Sequence, residues 1–355
     1  MTAHRPRILL LGHPPKFQLD KWTQFKRDFE VIEAELTTRD AFFEALKEKR
    51  YGDFDGIIKL AVETGNQASP WNEELISLLP PSVKSFCAAG AGFDYLDLKA
   101  LNARGIAFAN SRGAGDTATS DLALFLILAT FRLTSLSEWA ARTADPETFD
   151  RIHNEIAEKA VNPRDKVLGA VGFGAIQREI VRKAVHGLGM RCVYYDVAPA
   201  PKEVEEALQA KRVDSLEELA KVADCVSVSV PYMPSTHHLI DASFLSSLRP
   251  GSRIVNTARG PVVSQDALVA ALKSGHLLSV GLDVHEFEPQ VSRELCEMRN
   301  VTLTTHIGGV ARETFVEFER LTLENTSRFL LRGEELLTPA GKTFPPRASA
   351  GSGKL

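Results

Sequence analysis

The sequence of 355 residues contains little cysteine, and its four cysteines are spaced unlike those of a metal or disulfide site. They lie far apart, form no CxxC pair and have no histidine partner at metal-ligand spacing. This spacing argues against a disulfide-stabilised scaffold and against a structural zinc site. We therefore expect no metal, and we expect buried thiols in a reducing compartment for Cys87, Cys192, Cys225 and Cys296.

A long hydrophobic run is also missing. The longest apolar stretch, LALFLILATF at residues 122–131, is about half of a membrane span and predicts a buried helix. The apolar part of the N-terminal MTAHRPRILLLG is too short for a signal peptide and predicts a first strand. We therefore expect no membrane partner and a cytoplasmic protein, although the terminal SGKL differs by one residue from a peroxisomal Ser-Lys-Leu signal.

An excess of positive charge is missing too. The 42 Lys and Arg residues are outnumbered by 46 Asp and Glu residues, which gives a formal net charge of −4. Proteins that bind nucleic acid through surface charge carry a basic patch, so we expect no nucleic-acid partner. A small anionic metabolite stays compatible with this composition. The length predicts two domains, each large enough for its own core.

Apolar runs alternate with amphipathic stretches in both halves of the chain. In the first half, RILLLG, FDGIIKLA, VKSFCAAG and IAFANS predict strands, with AFFEALKEK and NEELISLL as helices between them. In the second half, six runs rich in Val, Ile and Leu predict strands buried on both faces: KVLGAVGFG, RCVYYDV, DCVSVSVPY, SRIVNTAR, LLSVGLDV and VTLTTHIG. This alternation predicts an α/β fold with two doubly wound parallel sheets.

Four further segments lie between or after these two halves. Thr119, Ser120 and Asp121 stand before the apolar helix, and we expect them to cap it. A polar stretch from about residue 140 to 166 precedes the second half. The pattern is helical again from Glu313 to about Leu331, and Pro, Gly and Ser predict a disordered tail over 341–355.

The segment GFGAIQ after the strand at 167–171 predicts a dinucleotide site. Gly172 and Gly174 fill the first two positions of G-x-G-x-x-G, which allow a tight turn and close approach of a pyrophosphate to a helix N-terminus. Gln177 replaces the third glycine, whose purpose is packing. Asp196 ends the next strand, where a carboxylate binds the adenosine ribose and repels a 2′-phosphate. Two glycines alone would equally fit a structural turn, but together with Asp196 they predict NAD.

Three ionisable residues follow strands of the second half, at the edge where open α/β sheets bind ligands. Arg259 could pair bidentately with a carboxylate and polarise the adjacent carbonyl. His306 could donate a proton to that carbonyl oxygen as hydride arrives. Glu288, bonded to the other ring nitrogen, would orient the imidazole and favour its charged form. Reduction of a 2-oxo acid requires this set of groups.

The residues alone leave structural roles open for each member of this set. A histidine at a strand end is more often structural, and His285 is closer to Glu288 in sequence than His306 is. Arg259 fits a surface ion pair, and Glu288 fits a solvated loop. A nucleotide-binding methyltransferase would share the glycines but has no use for an Arg, Glu and His set.

Seven motifs resemble those of the D-isomer-specific 2-hydroxyacid dehydrogenase family, in the family's order: GAGFDYLDL, TATSDLAL, LGAVGFGAI, VSVPYMPSTHHLI, VNTARGPVV, GLDVHEFEP and HIGG. The resemblance covers nearly the whole chain. It implies that His306 is the acid/base, Glu288 its partner and Arg259 the substrate arginine.

The same resemblance implies a domain arrangement. A flavodoxin-like substrate domain would span residues 1–118 and be completed by 312–340, and a Rossmann NAD domain would span 119–311. The two would enclose a cleft that closes on the substrate, and subunits would pair as homodimers through the NAD domain. The substrate is implied to be a small 2-oxo or 2-hydroxy acid.

Further site residues are implied by the resemblance. Val62 and the backbone of Gly90 and Ala91 would hold the substrate carboxylate together with Arg259, and Asp283 would hold the nicotinamide carboxamide. The other implied cofactor contacts are Thr119, Gly172, Gly174, Ala175, Ile176, Asp196, Val230, Pro231, Thr236, Thr257, Ala258 and Gly308.

More narrowly, KLAVETGN, SRGAGDTATSDLAL, Gln177 and the polar insert near 145–165 resemble the fungal NAD-dependent D-mandelate dehydrogenases of this family. This implies a bulky or aryl substrate such as benzoylformate. Leu60, Val62, Trp71 and Phe93 are available as apolar pocket walls, or equally as core. A glyoxylate or hydroxypyruvate reductase would keep the catalytic residues and differ in this pocket. An NAD(H)-sensing corepressor is an alternative from another class of protein. The absence of measurable turnover on any 2-oxo acid would favour it.

Overall fold

The structure is a computed structural model that describes residues 5–34, 38–60 and 69–345. It divides into two compact units. Unit 1 comprises Met1–Gly115 and Ala311–Leu355, and unit 2 comprises Asp116–Val310. The chain therefore leaves unit 1 once and returns to it.

Unit 1 contains a parallel sheet that has five strands within the described residues, in the order β2-β1-β3-β4-β5. The four predicted strands are confirmed, and β2 is an additional short edge strand. The strands are β1 (Arg7–Leu11), β2 (Glu30–Glu33), β3 (Gly56–Lys59), β4 (Ser85–Ala88) and β5 (Ala107–Ala109).

Both faces of this sheet are covered. Along β1, Leu9 and Leu11 pack into one apolar cluster, whereas Ile8 and Leu10 pack into another. This is the two-sided burial expected of strands flanked by helices. The helices of unit 1 are α1 (Leu19–Asp28), α2 (Arg39–Lys47), α3 (Glu73–Ser77), α4 (Leu98–Ala103) and α14 (Arg312–Ser327). A π-helical turn, Arg328–Arg332, continues α14, which confirms the predicted C-terminal helix.

Unit 2 contains a parallel sheet with the strand order β12-β11-β10-β9-β6-β7-β8. The six predicted strands are confirmed, and β8 adds a short edge. The strands are β6 (Val167–Val171), β7 (Arg191–Tyr195), β8 (Ala210–Arg212), β9 (Cys225–Val228), β10 (Ser252–Asn256), β11 (Leu277–Leu282) and β12 (Val301–Leu303). The prediction of two parallel-sheet α/β units is therefore confirmed.

The helices of unit 2 complete this second doubly wound layer. In chain order they are α5 (Asp116–Arg132), α6 (Thr134–Arg142), α7 (Pro146–Lys159), α8 (Ala175–Leu188), α9 (Lys202–Leu208), α10 (Leu216–Val222), α11 (Ala242–Ser247), α12 (Gln265–Lys273) and α13 (Arg293–Glu297). The polar stretch from about residue 140 is therefore largely helical.

The predicted cap of the apolar helix is wrong. Because α5 already begins at Asp116, Thr119, Ser120 and Asp121 lie inside it. Ser120 donates its hydroxyl to the Thr117 carbonyl at 2.8 Å, which is a bond made within a helix rather than at its start.

The predicted burial of the apolar run 122–131 is confirmed in its larger part. Ala123, Leu126 and Ile127 are fully buried, although Phe125 is exposed. Among the described residues, no single helix is long and apolar enough to cross a membrane. Only α5 and α6 taken together, across a 75° bend, have the length and composition to do so.

The cysteines follow the prediction with one exception. Cys87, Cys192 and Cys225 are buried, and burial raises the pKa of each thiol to about 12. Cys296 is exposed, so its predicted burial is wrong. It lies in α13, where only Leu295 is buried. The last ten residues of the predicted tail, 346–355, lie outside the described residues.

The strand orders locate where each sheet can bind a ligand. In unit 2 the order reverses between β6 and β9, because β7 and β8 follow on one side and β10 to β12 on the other. In unit 1 the reversal lies between β1 and β3. Ligands of open α/β sheets bind beyond the carboxyl ends of the strands at such a reversal. The loops after β6 and β9 therefore border the expected ligand site of unit 2.

Candidate active site

A glycine turn follows β6 at the strand reversal of unit 2. Gly172 has a φ of +83°, which favours glycine, and a Cβ built there would lie 2.6 Å from the Ser229 carbonyl oxygen. Gly174 caps the N-terminus of α8 without any side-chain hydrogen bond, and a Cβ built on it meets nothing within 4 Å. The turn thus leaves open space in front of a helix N-terminus, beside the first α8 residues Ala175 and Ile176.

Asp196 follows β7 and holds this turn. Its Oδ2 accepts the Phe173 N–H at 2.7 Å, and Arg212 donates to its carbonyl oxygen at 3.2 Å. Gln177, the replacement for the third glycine, is fully buried and its Oε1 accepts the Ser227 hydroxyl at 3.2 Å. The side chain of Gln177 therefore fills the helix-to-sheet contact that a glycine would otherwise leave open.

The loop after β9 lies on the other side of the reversal. Val230 contacts the turn, because a Cβ built on Gly172 would lie 2.8 Å from Val230 Cγ1. Thr236 closes the loop by donating its hydroxyl to the Pro231 carbonyl at 2.7 Å. The structure thus brings the predicted residue Val230 to the glycine turn, and it places Pro231 and Thr236 in the same loop after β9.

Asp283, directly after β11, holds the loop that carries His306. Its carboxylate accepts the N–H groups of Ile307 and Gly308, both at 2.7 Å, and its carbonyl accepts the His306 N–H at 2.7 Å. His306 has a φ of +57°, a left-handed conformation that costs free energy unless surrounding contacts hold it. A Cβ built on Gly308 would lie 3.2 Å from Thr119 Cγ2, so Thr119 adjoins this loop.

His306 and Glu288 form a hydrogen-bonded pair. His306 Nδ1 lies 2.8 Å from Glu288 Oε2, and the His306 side chain is 44% exposed. The other carboxylate oxygen, Oε1, accepts the His285 N–H at 2.8 Å. Burial raises the pKa of Glu288, but the hydrogen bonds from His306 and His285 and their charges outweigh it, so this pKa lies below its ordinary value. Glu288 is therefore a carboxylate at neutral pH.

Arg259 lies in the loop after β10. Asn256 shapes this loop: its amide donates to the Arg259 carbonyl at 2.9 Å, and its Oδ1 accepts the Ala258 N–H at 3.0 Å. Arg259 Nη1 donates to the Ala258 carbonyl at 2.7 Å, and its side chain is half-buried. The hydroxyl of neighbouring Thr257 is buried and has no partner among the described residues.

Other predicted residues lie in unit 1 or outside the described chain. Gly90 has a φ of +91° and accepts the Ser111 N–H at 2.8 Å, and the Ala91 carbonyl accepts the Asn110 amide at 2.7 Å. A Cβ built on Gly90 meets nothing within 4 Å, so this turn faces open space. Val62 lies outside the described residues.

Two of the apolar pocket candidates belong to the core. Trp71 and Leu60 are buried, in the two clusters on opposite faces of the unit 1 sheet. Phe93 is half-buried, with its ring 5.7 Å from that of Phe108. Among the described candidates, Phe93 alone keeps partial exposure at the carboxyl edge of β4.

Lys59 is a charged residue for which the sequence patterns predicted no role. It ends β3 beside Ala88 of β4, and its Nζ lies 4.4 Å from the centre of the Tyr95 ring. Burial lowers the pKa of Lys59 from its usual 10.5 to about 8, against the opposing charge of Asp94. Its position at the end of a β-branched run reads as core in sequence, so no signal marked it.

We expect Lys59→Met to raise the free energy of unfolding at pH 7 by about 1–3 kcal/mol, because methionine removes a buried charge. Between pH 8 and 10.5 the unfolded wild type binds more protons than the folded one, so its stability rises with pH. The difference in unfolding free energy between Lys59→Met and the wild type should therefore shrink between pH 7 and pH 10. Denaturant unfolding at both pH values measures it, with Lys84→Met, an exposed lysine just before β4, as the control. An equal increase in unfolding free energy in Lys59→Met and Lys84→Met would contradict burial of the Lys59 charge as the cause.

The residues at the glycine turn fit a dinucleotide. The open cradle at Gly174 and the uncapped N-terminus of α8 accommodate a pyrophosphate, and the Asp196 carboxylate lies beside it for a ribose. Within residues 5–34, 38–60 and 69–345, no group of three or more His, Cys, Asp or Glu side chains could hold a metal ion.

Comparison with known proteins agrees with this geometry. The family model of the D-isomer specific 2-hydroxyacid dehydrogenase NAD binding domain matches residues 124–308. The solved apo structure of D-mandelate dehydrogenase from Rhodotorula graminis is 71% identical, with a TM-score of 0.93 over 97% of this chain and 100% of that one.

Two curated fungal relatives are more distant. Each is 32% identical over 338 residues. They are 4-methyl-2-oxopentanoate reductase A of Aspergillus oryzae, matched over 95% of this chain and 99% of its own, and glyoxylate reductase 1 of Saccharomyces cerevisiae, matched over 94% of both chains.

Proposed function

This chain belongs to the D-isomer-specific 2-hydroxyacid dehydrogenase family, and we propose that within this family it reduces bulky or aryl 2-oxo acids such as benzoylformate to the D-alcohol. The observation that supports this substrate class is the 71% identity to a D-mandelate dehydrogenase over nearly all of both chains. The cofactor is NAD, and when bound its reduced form supplies the hydride.

His306 is the proposed proton donor. Glu288 engages its Nδ1 at 2.8 Å, which leaves Nε2 as the atom that exchanges a proton with the substrate oxygen. In reduction the C2=O π bond breaks, C2 gains the hydride, and the oxygen gains the His306 proton. In oxidation the proton returns to the same nitrogen. Glu288, held as a carboxylate, stabilises the charged ring in both directions.

Arg259 is the proposed carboxylate ligand. Its planar guanidinium matches a carboxylate bidentately, and its charge polarises the adjacent C2 carbonyl. The main-chain N–H groups at Gly90 and Ala91, together with Val62, are proposed to help hold the substrate carboxylate. The open space at Gly90 supports this role, because a ligand can approach the backbone closely there.

The cofactor contacts are proposed for the residues at the glycine turn and its neighbours. Gly174 and the first α8 residues Ala175 and Ile176 would hold the pyrophosphate, and Asp196 the adenosine ribose. Asp283 keeps one carboxylate oxygen with a single bond, to the Gly308 N–H, so this oxygen remains available to a carboxamide. The remaining proposed cofactor contacts are Thr119, Gly172, Val230, Pro231, Thr236, Thr257, Ala258 and Gly308.

A glyoxylate reductase is the second candidate, favoured by the match to the Saccharomyces cerevisiae enzyme. The deciding experiment follows NADH absorbance with benzoylformate, glyoxylate, hydroxypyruvate and 4-methyl-2-oxopentanoate in parallel, and identifies the product enantiomer. We expect the highest kcat/KM with benzoylformate, a D product, and slower turnover with NADPH. Comparable kcat/KM for glyoxylate and benzoylformate would exclude the aryl preference, and no turnover on any of them would exclude the enzyme.

The proposed assembly is a homodimer formed through unit 2. A groove of about 630 Å³ is lined by apolar residues of α6 and α7, including Phe149 and Ile156, and Phe149 is exposed. Such an apolar surface is typical of a protein interface. Sedimentation velocity of the purified chain measures the assembly. A cytoplasmic location is proposed from the sequence, and the peroxisome-like tail lies outside the described residues.

A further inference from the structure

His285 lies in the loop that carries Glu288 and contacts the two loops that carry Arg259 and His306. It lies three residues after Leu282, the last residue of β11, is buried, and is the histidine that sequence spacing could not separate from His306. Its main chain and its ring contact different loops.

The main chain of His285 contacts Glu288 within its own loop and Gly260 in the Arg259 loop. Its N–H donates to Glu288 Oε1 at 2.8 Å. Its carbonyl packs against Gly260, the neighbour of Arg259, so closely that a Cβ built on Gly260 would lie 1.9 Å from the carbonyl oxygen. The strand-end loops of β10 and β11 are therefore in direct main-chain contact at this residue.

The ring of His285 contacts the His306 loop. His285 Nε2 lies 2.8 Å from the carbonyl oxygen of Thr304, two residues before His306. A carbonyl oxygen only accepts, so Nε2 carries the proton. The other ring nitrogen, Nδ1, is buried and has no partner among the described residues.

We propose that His285 is a positioning residue that sets the distance between Glu288 and His306, an inference that rests on the proposed function. One residue holds both partners: its N–H fixes the Glu288 carboxylate and its ring fixes the Thr304 carbonyl. His306 needs such support because its left-handed backbone returns to a relaxed conformation when the loop loosens. His285 touches no reacting atom in this role.

The test compares three replacements of His285. Phe keeps the ring volume but has no donor for the Thr304 carbonyl. Gln places its amide nitrogen near the position of His Nε2, and Asn is too short to reach it. His276→Phe is the matched control, because His276 lies at the amino end of the same strand β11 and its Nε2 bonds the Leu245 carbonyl at 2.9 Å.

We expect His285→Phe and His285→Asn to lower kcat for 2-oxo acid reduction about tenfold, with NADH affinity unchanged. The alkaline limb of the kcat–pH profile should move to lower pH, because a displaced carboxylate favours the charged ring less. His285→Gln should keep kcat within about threefold of the parent and leave the alkaline limb at the parent's pH. His276→Phe should lower Tm without moving the limb. If His285→Phe does not fold, the Gln and Asn pair carries the same comparison.

Two failures are distinguishable. If the parent chain turns over no 2-oxo acid, the proposed function is wrong. If the parent is active and the pH limb stays in place in folded His285→Phe or His285→Asn, while Tm falls as in His276→Phe, then His285 is structural only and the positioning role is wrong.

Discussion

Replacing His306 with alanine should lower kcat for benzoylformate reduction by about 10³-fold, because a positioned general acid contributes roughly 10²–10⁴-fold to such a reaction. The loss should appear in kcat more than in KM, since the substrate carboxylate is bound by Arg259 in our proposal. The main chain of residue 306 keeps its bond to the Asp283 carbonyl after the change, so the loop should stay in place. Stopped-flow and steady-state rates with NADH measure the effect.

His186→Ala is the control for this experiment. His186 is exposed in the last turn of α8 in the same unit, so its removal should leave kcat within about twofold of the parent. NADH binding, followed by fluorescence titration, should be unchanged in both variants. Turnover of His306→Ala within a few fold of the parent would mean that another group donates the proton.

Among glycine-to-alanine substitutions in unit 2, we expect Gly260→Ala to cause the largest loss of stability and activity. The new Cβ would lie 1.9 Å and 2.0 Å from the carbonyl oxygen and carbon of His285 and 2.4 Å from the Glu286 nitrogen. All three are main-chain atoms, so no rotamer change relieves the clash. We expect a loss of roughly 2–4 kcal/mol of unfolding free energy and at least a 100-fold loss of kcat/KM, because Arg259 moves with the loop.

Gly187→Ala is the matched control. Gly187 lies inside α8, is exposed, and a Cβ built there meets nothing within 4 Å. Alanine is the better helix former, so this variant should gain about 0.5–1 kcal/mol and keep full activity. Thermal unfolding and kcat/KM of both variants measure the contrast. Near-parental stability of Gly260→Ala would show that the β10 and β11 loops separate at little cost.

Strands of the fold were predictable because hydrophobic runs of parallel sheets are nearly continuous. The four-residue β2 was not, since its ends are the exposed Glu30 and Glu33. The helix α7 was not predicted either. Only Ile152 of this helix is buried, and its few apolar residues are separated by charged ones, with pairs such as Lys159 and Glu155 one turn apart, a pattern that resembles a solvated linker.

The pairing of Glu288 with His306 could be proposed from sequence only with the help of a family resemblance. Spacing favoured His285, three residues from Glu288, over His306, eighteen residues away. The structure separates them by burial, because the His285 ring turns inward to the Thr304 carbonyl while His306 stays accessible. Sequence periodicity carries no information about which way a loop residue turns.

The close packing of the loops after β10, β11 and β12 also constrains how this protein can change over evolutionary time. Gly260 fits only while the His285 carbonyl stays where it is, and the Thr304 carbonyl depends on the His285 ring. A substitution that shifts one loop therefore requires compensating changes in the others. We expect these loops to be inherited as a block, and laboratory selection for new substrates to accumulate its successful mutations elsewhere.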